Sequence, residues 1–477
     1  MLHISGHSIP IWQDGITSAE IHKQHFDGTV NLSAIIYSLY SNDVHPPLYF
    51  VFVLVWAKLF GNDLETIRLV SVLAVLLSGV AVYLTASYYK KGSEIFSLII
   101  FFGAPMVTWS AVNARDYSFA MLFTSLALLM ITILLSTDKD AAQNKKNTDK
   151  LILSAGAFCG LAFLSHYFTI LLTAVIYGAI VVFYLRARPL VVISGGLIFS
   201  VCLLLAAPML LNQFDARPNQ YLGFQNLFVE IRALVTMVFI SLAEQPAGLI
   251  FGRIIFLSYG VIFVASFFYG IKQLPKMKLG VVFIFYIIFY LLALLGLFYL
   301  TNKSLDAATI GRYGVFIVPI LAILAGGVLV DLFNQNRFVG TILASLMLFF
   351  IANTWVDGKI DLLPWTAKEG FDRLATTFET FPHNKILVIV PRGYGRGNPG
   401  TWSYEMESKI KVAIVNNSND LHAIQKYSEN WKAIIVVKDE TNKLDAELEK
   451  YEIFLDQTRY KEMPGNALYK YKLWYEI

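Results

Sequence analysis

Long apolar segments separated by short polar stretches fill the chain between residues 67 and 354. Each approaches the roughly 17–25 residues that a helix needs to cross a bilayer. No water is present in hydrocarbon to satisfy an unpaired backbone group, so each crossing must be helical. The pattern predicts ten membrane-spanning helices, at 67–89, 94–112, 117–136, 151–167, 168–185, 190–210, 249–270, 279–300, 313–333 and 338–354.

The segment that precedes the first predicted span is apolar but short. Residues 45–60 read HPPLYFVFVLVWAKLF, and Tyr49 and Trp56 suit the headgroup region of a membrane. We therefore predict a helix that lies at, or dips into, the outer interface. The alternative is a tilted span, which would invert the topology of all later helices. The first residues, MLHISGHSIPIW, lack a basic run followed by an apolar core, so no signal peptide is expected.

Basic residues predict the orientation, because Lys and Arg in short loops stay on the cytoplasmic side. Alternate loops carry Lys90, Lys91, Lys139, Lys145, Lys146, Lys150, Arg186, Arg188, Lys272, Lys276, Lys278 and Arg337. The intervening loops at 113–116, 211–248 and 301–312 should then face the periplasm or lumen. The same side is expected for the N-terminal segment and for the tail from about residue 355.

The tail differs in character from the rest of the chain, with frequent charges and short apolar runs. Buried strands are predicted at 384–391, 411–416 and 432–439, with a helix, LHAIQKYSENW, between the last two. A small extramembrane α/β domain at 355–477 is the interpretation. The loop PRGYGRGNPG has GxGxxG spacing, but Pro399 interrupts it and the next strand ends in Asn416 where a dinucleotide site needs an acid. An ordinary loop is the favoured alternative.

Composition supports this division of the chain. The protein has 477 residues, 56% hydrophobic and 15% charged, with a mean hydropathy of +0.58, which excludes a water-soluble protein of this size. Cys159 and Cys202 fall inside predicted spans and therefore indicate packing, not a redox compartment. The net charge of +4 is small and gives no indication of nucleic-acid binding.

Two ionisable residues of the N-terminal segment are candidates for chemistry. Asp14, in WQDGITSAE, follows an aromatic patch, and a carboxylate held there could take a proton from an acceptor hydroxyl. The alternative is a solvated loop aspartate. His45 precedes Pro46 and Pro47, which stiffen the entry to the interfacial helix. It is either a functional group or a simple anchor of that turn.

Three later outer-side motifs carry further candidates. Arg115 and Asp116 lie side by side where a span begins, and the arginine could bind a phosphate bidentately or only anchor the helix. His166 and Tyr167 occupy a tight hairpin, where a neutral imidazole could bind a metal, a sugar or a phosphate, or be a satisfied loop histidine. Arg312 and Tyr313 repeat the arrangement at the start of a later span.

Six motifs in order resemble the bacterial relatives of the protein O-mannosyltransferases, members of the GT-C class of membrane glycosyltransferases. The motifs are WQDGITSAEI, DVHPPLYF, FGNDLETIRLVS, VNARDYSF, FLSHYF and GRYGVFIVP, which together cover about residues 10–355. The chain departs from that family at Gly15, where the family has a glutamate after the first aspartate, and in beginning about where the family's first helix ends.

The resemblance implies an inverting transfer from a polyprenyl-phosphate sugar at the outer face. Asp14 would be the general base, and Arg115 and Arg312 would stabilise the departing lipid phosphate. His45, Asp116 and His166 would position the sugar, the acceptor or a divalent metal, and Tyr167 and Tyr313 would be further substrate-binding residues. The ligand set does not specify a metal, and no other cofactor is indicated. The acceptor is a protein, a lipid or a polysaccharide.

The predicted fold class is therefore a polytopic α-helical membrane protein with about ten spans, an interfacial helix and a small C-terminal α/β domain. Residues 1–66 form the first outer loop with that helix, 67–354 the transmembrane domain and 355–477 the extracytoplasmic domain. The bacterial inner membrane is the expected location. A transporter would place ionisable groups near mid-membrane, whereas these spans are apolar through their centres. A catalytically silent glycan-binding relative is the other alternative.

Overall fold

The computed structural model describes most of the apolar part of the chain and five short segments of the tail. The helical ranges are 46–61, 64–112, 115–136, 145–216, 226–242, 278–300 and 313–356, and the tail ranges are 386–391, 410–415, 433–437, 460–463 and 471–476. The described helices belong to one compact unit and the described strands to a second.

The first unit is built entirely of helices within the described ranges. In chain order they are α1 Leu48–Phe60, α2 Leu64–Tyr89, α3 Glu94–Gly103, α4 Pro105–Val112, α5 Tyr117–Ser136, α6 Lys145–Ser165, α7 Ile170–Tyr184, α8 Pro189–Ala216, α9 Leu227–Leu242, α10 Lys278–Leu300, α11 Val318–Gln335 and α12 Arg337–Val356. A 3₁₀ turn at Tyr167–Thr169 leads into α7.

Seven of the described helices are long and apolar enough to cross a bilayer, and a bent pair of helices brings the number to eight. The seven are Thr66–Tyr89, Tyr117–Ser136, Lys145–Ser165, Tyr167–Tyr184, Pro189–Pro208, Leu279–Leu300 and Val318–Gln335. The chain is thus a polytopic membrane protein, as predicted. The predicted span at 249–270 lies outside the described residues, and α12 covers the one at 338–354.

The segment predicted as a span at 94–112 is divided into two helices. Helices α3 and α4 meet at Ala104 and bend by 68°. Proline disfavours helical backbone in the residue before it, and Ala104 is extended, with φ −70° and ψ 122°. Pro105 then begins α4, where its missing N–H is tolerated. The bend redirects the chain just before Arg115 and Asp116.

Helix α9 lies within the stretch predicted as an outer loop at 211–248. Asn226 caps it, because its Oδ1 accepts the N–H of Val229 at 3.0 Å. The helix packs against α4 and α10 and buries Glu230 completely. Its 16 residues are too few for an ordinary crossing, and the apolar segments of the sequence therefore did not predict it as a span.

Small residues let α6 and α8 approach closely, as is common where lipid supplies no hydrophobic drive between helices. A methyl group added at Gly156 on α6 would overlap the carbonyl oxygen of Gly195 on α8 and lie 2.9 Å from its Cα. By contrast, nothing lies within 4 Å of a methyl group added at Gly178 on α7. The pair Gly156 and Gly195 therefore sets the separation of the two helices.

Gly156→Ala should destabilise the helical unit because α8 must move away from α6. Overpacking of this kind typically costs about 1–3 kcal/mol. Thermal unfolding in detergent measures the effect, and Gly178→Ala is the matched control, for which we expect a neutral or slightly stabilising change. Equal unfolding temperatures for the two variants would contradict the packing argument.

The second unit contains a five-stranded sheet, and its strands are β1 Ile386–Pro391, β2 Ile410–Val415, β3 Ala433–Val437, β4 Tyr460–Met463 and β5 Tyr471–Glu476. The order is β2-β1-β3-β5-β4. Strand β1 pairs in parallel with β2 and β3, whereas β5 runs antiparallel to β3 and β4. The first three strands lie where apolar runs predicted them. The last two have mixed composition and were missed, and the predicted helix at 421–431 lies outside the described residues.

Candidate active site

The structure describes five of the eight predicted site residues, and all five are buried. They are Arg115, Asp116, His166, Tyr167 and Tyr313. The other three lie outside the described residues, and these are Asp14, His45 and Arg312. The described part of the site therefore consists of the two motifs around Arg115 and His166 and the segment that leads into α11.

Arg115 and Asp116 form the turn that enters α5. The carbonyl of Arg115 accepts the Ser118 hydroxyl at 2.9 Å, and the carbonyl of Asp116 accepts the Ala120 N–H at 2.9 Å. The residues are only 3% and 1% exposed. An arginine that serves only as an interfacial anchor would extend towards headgroups and water, and this burial instead favours a role inside the protein.

The guanidinium of Arg115 is held over an aromatic ring. Its Cζ lies 5.0 Å from the centre of the Tyr117 ring, a cation–π arrangement. The Tyr117 ring also lies 4.9 Å from the imidazole of His166, centre to centre. Tyr117 therefore connects two predicted site residues that are about fifty positions apart, at 115 and 166. Tyr117 was not among the residues predicted from the sequence, although it follows Asp116 directly in the motif.

The conformation of His166 follows from the turn between α6 and α7. Its Nδ1 accepts the backbone N–H of Phe168 at 3.3 Å, and its carbonyl accepts the Thr169 hydroxyl at 2.8 Å. A neutral imidazole that accepts at Nδ1 carries its proton on Nε2. The ring can therefore present an N–H donor on the side opposite the turn.

The segment before α11 joins the same cluster. The ring centre of Phe316 lies 4.9 Å from that of His166 and 5.9 Å from that of Tyr117. The Tyr313 ring is 6.2 Å from His166, and the Tyr290 hydroxyl donates to the Tyr313 carbonyl at 2.8 Å. Residues separated by about two hundred positions thus meet, because α10 holds the entry to α11 in place.

Tyr167 is oriented differently from the other candidates. Its ring packs edge-on against Phe163 of α6, with centres 5.6 Å apart. This contact lies within the hairpin itself. Tyr167 is therefore brought close to His166 by the chain, but the described ring contacts connect it to α6 and not to Tyr117 or Tyr313.

A hydroxyl network attaches α1 and α2 to the start of α5. The Tyr49 hydroxyl and the Ser71 Oγ lie 3.1 Å apart, and the Ser118 hydroxyl donates to Ser71 at 3.1 Å. Burial raises the pKa of the Tyr49 hydroxyl above its ordinary value; the Ser71 hydrogen bond opposes this rise and the Asp116 carboxylate adds to it. Helix α1 and the start of α5 are therefore connected through Ser71. From the sequence, Tyr49 was predicted only to lie in the headgroup region of the membrane.

The cluster combines a buried cation, a buried carboxylate, an imidazole and stacked aromatic rings. Guanidinium groups bind phosphate oxygens bidentately, and aromatic faces provide a surface for the apolar face of a sugar or for a cation. Within the described residues, no three His, Cys, Asp or Glu side chains come together to hold a metal ion. The arrangement therefore offers side chains suited to binding an anion and a sugar.

Comparison with known proteins agrees with this chemistry. Residues 44–211 match the family described as dolichyl-phosphate-mannose-protein mannosyltransferase. The matched segment contains the motifs of His45, Arg115 and His166 and excludes those of Asp14 and Arg312. No curated protein matches the sequence significantly.

One protein of solved structure, ArnT, shares the fold over nearly the whole chain. ArnT from Cupriavidus metallidurans in the apo state superposes with a TM-score of 0.64 at 13% identity, covering 98% of this chain and 94% of that chain. The same protein bound to undecaprenyl phosphate gives 0.59 at 12% identity, with the same coverage of both chains. The Archaeoglobus fulgidus oligosaccharyltransferase in the apo form gives 0.45 at 11% identity, covering 89% of this chain and 69% of that chain. The resemblance to the GT-C class predicted from the motifs is confirmed.

Proposed function

We propose that this membrane glycosyltransferase of the GT-C class moves a sugar from a polyprenyl-phosphate donor to an acceptor hydroxyl, with inversion at the anomeric carbon. The observation that carries the proposal is the buried cluster in which Tyr117 contacts both Arg115 and His166. A guanidinium binds phosphate oxygens through two parallel N–H donors, and a lipid phosphate at the membrane surface is a suitable ligand for such a group.

The leaving group explains why arginine is suited to this site. When the bond between the anomeric carbon and the phosphate oxygen breaks, negative charge grows on the polyprenyl phosphate. Arg115, with Arg312 as a second cation, would stabilise that charge without any proton transfer. The rigid position of the guanidinium over Tyr117 means that little reorganisation is needed during the reaction.

The acceptor hydroxyl requires a base on the opposite side of the sugar. We assign this role to Asp14, which takes the hydroxyl proton as the oxygen attacks the anomeric carbon. The products are the new glycoside and polyprenyl phosphate. His45, Asp116 and His166 would position the sugar and the acceptor, together with Tyr167 and Tyr313.

Two comparisons support a lipid phosphate as the carrier. The matched family is described as dolichyl-phosphate-mannose-protein mannosyltransferase. ArnT, whose fold this chain shares, has been solved with undecaprenyl phosphate bound. The acceptor is a protein, a lipid or a polysaccharide, and no nucleic acid takes part.

Sugar transfer can be tested with the purified full-length protein and a panel of radiolabelled polyprenyl-phosphate sugars. We expect one donor to release polyprenyl phosphate in proportion to glycoside formed, with the opposite anomeric configuration by NMR. Binding of a donor without turnover would favour the silent glycan-binding relative. Transport of the sugar across sealed vesicles without bond cleavage would contradict the proposal.

We also propose that the site and a C-terminal domain at 355–477 face outward from a bacterial inner membrane. Single cysteines in a Cys159→Ser, Cys202→Ala background can be labelled from either side. A cysteine at position 145 should react only from the cytoplasm, and one at position 407 only from outside. Labelling of position 407 from the cytoplasm alone would contradict the proposed topology. The proposal that the site residues share one outer face would then also fail.

A further inference from the structure

Trp109 is a buried residue whose indole N–H has no acceptor among the described residues. The side chain is 5% exposed and lies on α4, directly after the bend at Ala104. A buried tryptophan usually finds a hydrogen-bond partner, because removing its N–H from water without one destabilises the fold. An unsatisfied donor of this kind is a candidate ligand contact.

The position of Trp109 points to the ligand. Its ring meets the Tyr117 ring edge-on, with centres 5.3 Å apart and planes at 61°. The same tyrosine ring carries the Arg115 guanidinium, whose Cζ lies 5.0 Å from its centre. The indole and the guanidinium therefore share one aromatic neighbour, which brings both groups to the same tyrosine ring.

The Trp109 indole and the Arg115 guanidinium both only donate hydrogen bonds, so a ligand that contacts both must accept from both. An indole N–H only donates, and an ionised phosphate oxygen only accepts. We infer that the Trp109 N–H donates a hydrogen bond to a phosphate oxygen of the bound lipid phosphate, beside Arg115. This inference rests on the proposed function and adds a neutral donor to it.

Trp56 provides an internal contrast. Its Nε1 donates to the Thr66 carbonyl at 2.9 Å, so its hydrogen bond is satisfied within the protein. Replacing Trp56 by phenylalanine removes a protein hydrogen bond, whereas the same change at Trp109 removes a donor that the described residues do not use. The two variants should therefore affect different properties.

The experiment measures binding of undecaprenyl phosphate, undecaprenol and inorganic phosphate to full-length protein in detergent, together with thermal unfolding without ligand. Trp109→Phe should weaken undecaprenyl phosphate binding by about tenfold or more, the usual effect of losing a hydrogen bond to a charged group. Its unfolding temperature should stay near that of the wild type. Trp56→Phe should unfold at a lower temperature and bind undecaprenyl phosphate as the wild type does.

A second replacement separates shape from hydrogen bonding. Benzothienylalanine at position 109 keeps the bicyclic ring and puts sulfur where the N–H was, so it should reproduce the loss of affinity seen with phenylalanine. Undecaprenol, which lacks the phosphate, should bind all variants equally. Weaker binding of inorganic phosphate as well would place the contact on the phosphate group independently of the lipid.

The outcomes separate the two hypotheses. Wild-type affinity for undecaprenyl phosphate with benzothienylalanine, or an equal loss for undecaprenol, would overturn the role of Trp109 while leaving the proposed transfer intact. Failure of the wild-type protein to bind undecaprenyl phosphate or any polyprenyl-phosphate sugar would instead count against the proposed function itself.

Discussion

Arg115→Ala is expected to lower the rate of sugar transfer by about 10²–10³-fold, the usual cost of losing one preorganised group that stabilises charge in the transition state. The guanidinium is almost fully buried and stacks on Tyr117, so bulk water cannot easily replace it. The loss should appear in kcat, because the charge on the leaving phosphate develops as the bond breaks. It should also weaken inhibition by the product, polyprenyl phosphate.

Arg115→Lys tests geometry separately from charge. Lysine keeps a positive charge but lacks the planar group that stacks on the tyrosine ring and binds two phosphate oxygens at once. We expect activity between that of the wild type and that of Arg115→Ala, measured by steady-state kinetics and product inhibition. Arg232→Ala is the matched control, because Arg232 is an exposed arginine on α9.

Unchanged product inhibition in Arg115→Ala would contradict the phosphate assignment. If the variant also unfolded at a much lower temperature, Arg115 would be a structural cation that holds Tyr117. Arg312→Ala should also lower the rate, and if both arginines bind the same phosphate, the two losses should combine non-additively in a double-mutant cycle.

Asp14→Asn should reduce transfer by about 10²–10⁴-fold, since loss of a general base has an effect of that size. Asparagine is close to aspartate in shape but does not accept the acceptor's proton. Binding of the donor and of polyprenyl phosphate should be nearly unchanged, because neither step requires proton transfer. Transfer to the acceptor, measured at saturating donor, provides the rate.

Glu20→Gln is the control for this experiment, since it removes a carboxylate from the same motif without touching the proposed base. Turnover of Asp14→Asn close to that of the wild type would remove Asp14 from the mechanism. The base would then be sought among the buried carboxylates of the described helices, with Asp116 first because it lies beside Arg115.

Several parts of this protein were predictable from its sequence. Apolar length predicts the helices, because a bilayer demands about twenty apolar residues per crossing. Charged residues beside span ends mark Arg115 and Asp116, since an ionisable group near lipid is costly unless it is used or paired. Apolar runs predict the three parallel strands at 386–391, 410–415 and 433–437.

Aromatic residues were the main omission at the site. Trp109 and Tyr117 lie in apolar stretches, where an aromatic side chain usually belongs to the core or to the lipid-facing surface. Their roles depend on which ring, cation or imidazole lies beside them. That information comes from helices far apart in the chain, so local composition does not contain it.

Local chemistry by itself thus determined the membrane-spanning class of the protein, most of its helices and the identity of its charged candidates, because hydrocarbon imposes length and polarity on each segment separately. Tertiary structure alone decided that Arg115, His166 and Phe316 contact one tyrosine ring. The structure also shows that the chain turns by 68° before Trp109. That turn has a local cause, because Pro105 disfavours helical backbone at Ala104, whereas the ring contacts depend on how distant helices pack, which is a relation between segments and not a property of any one of them.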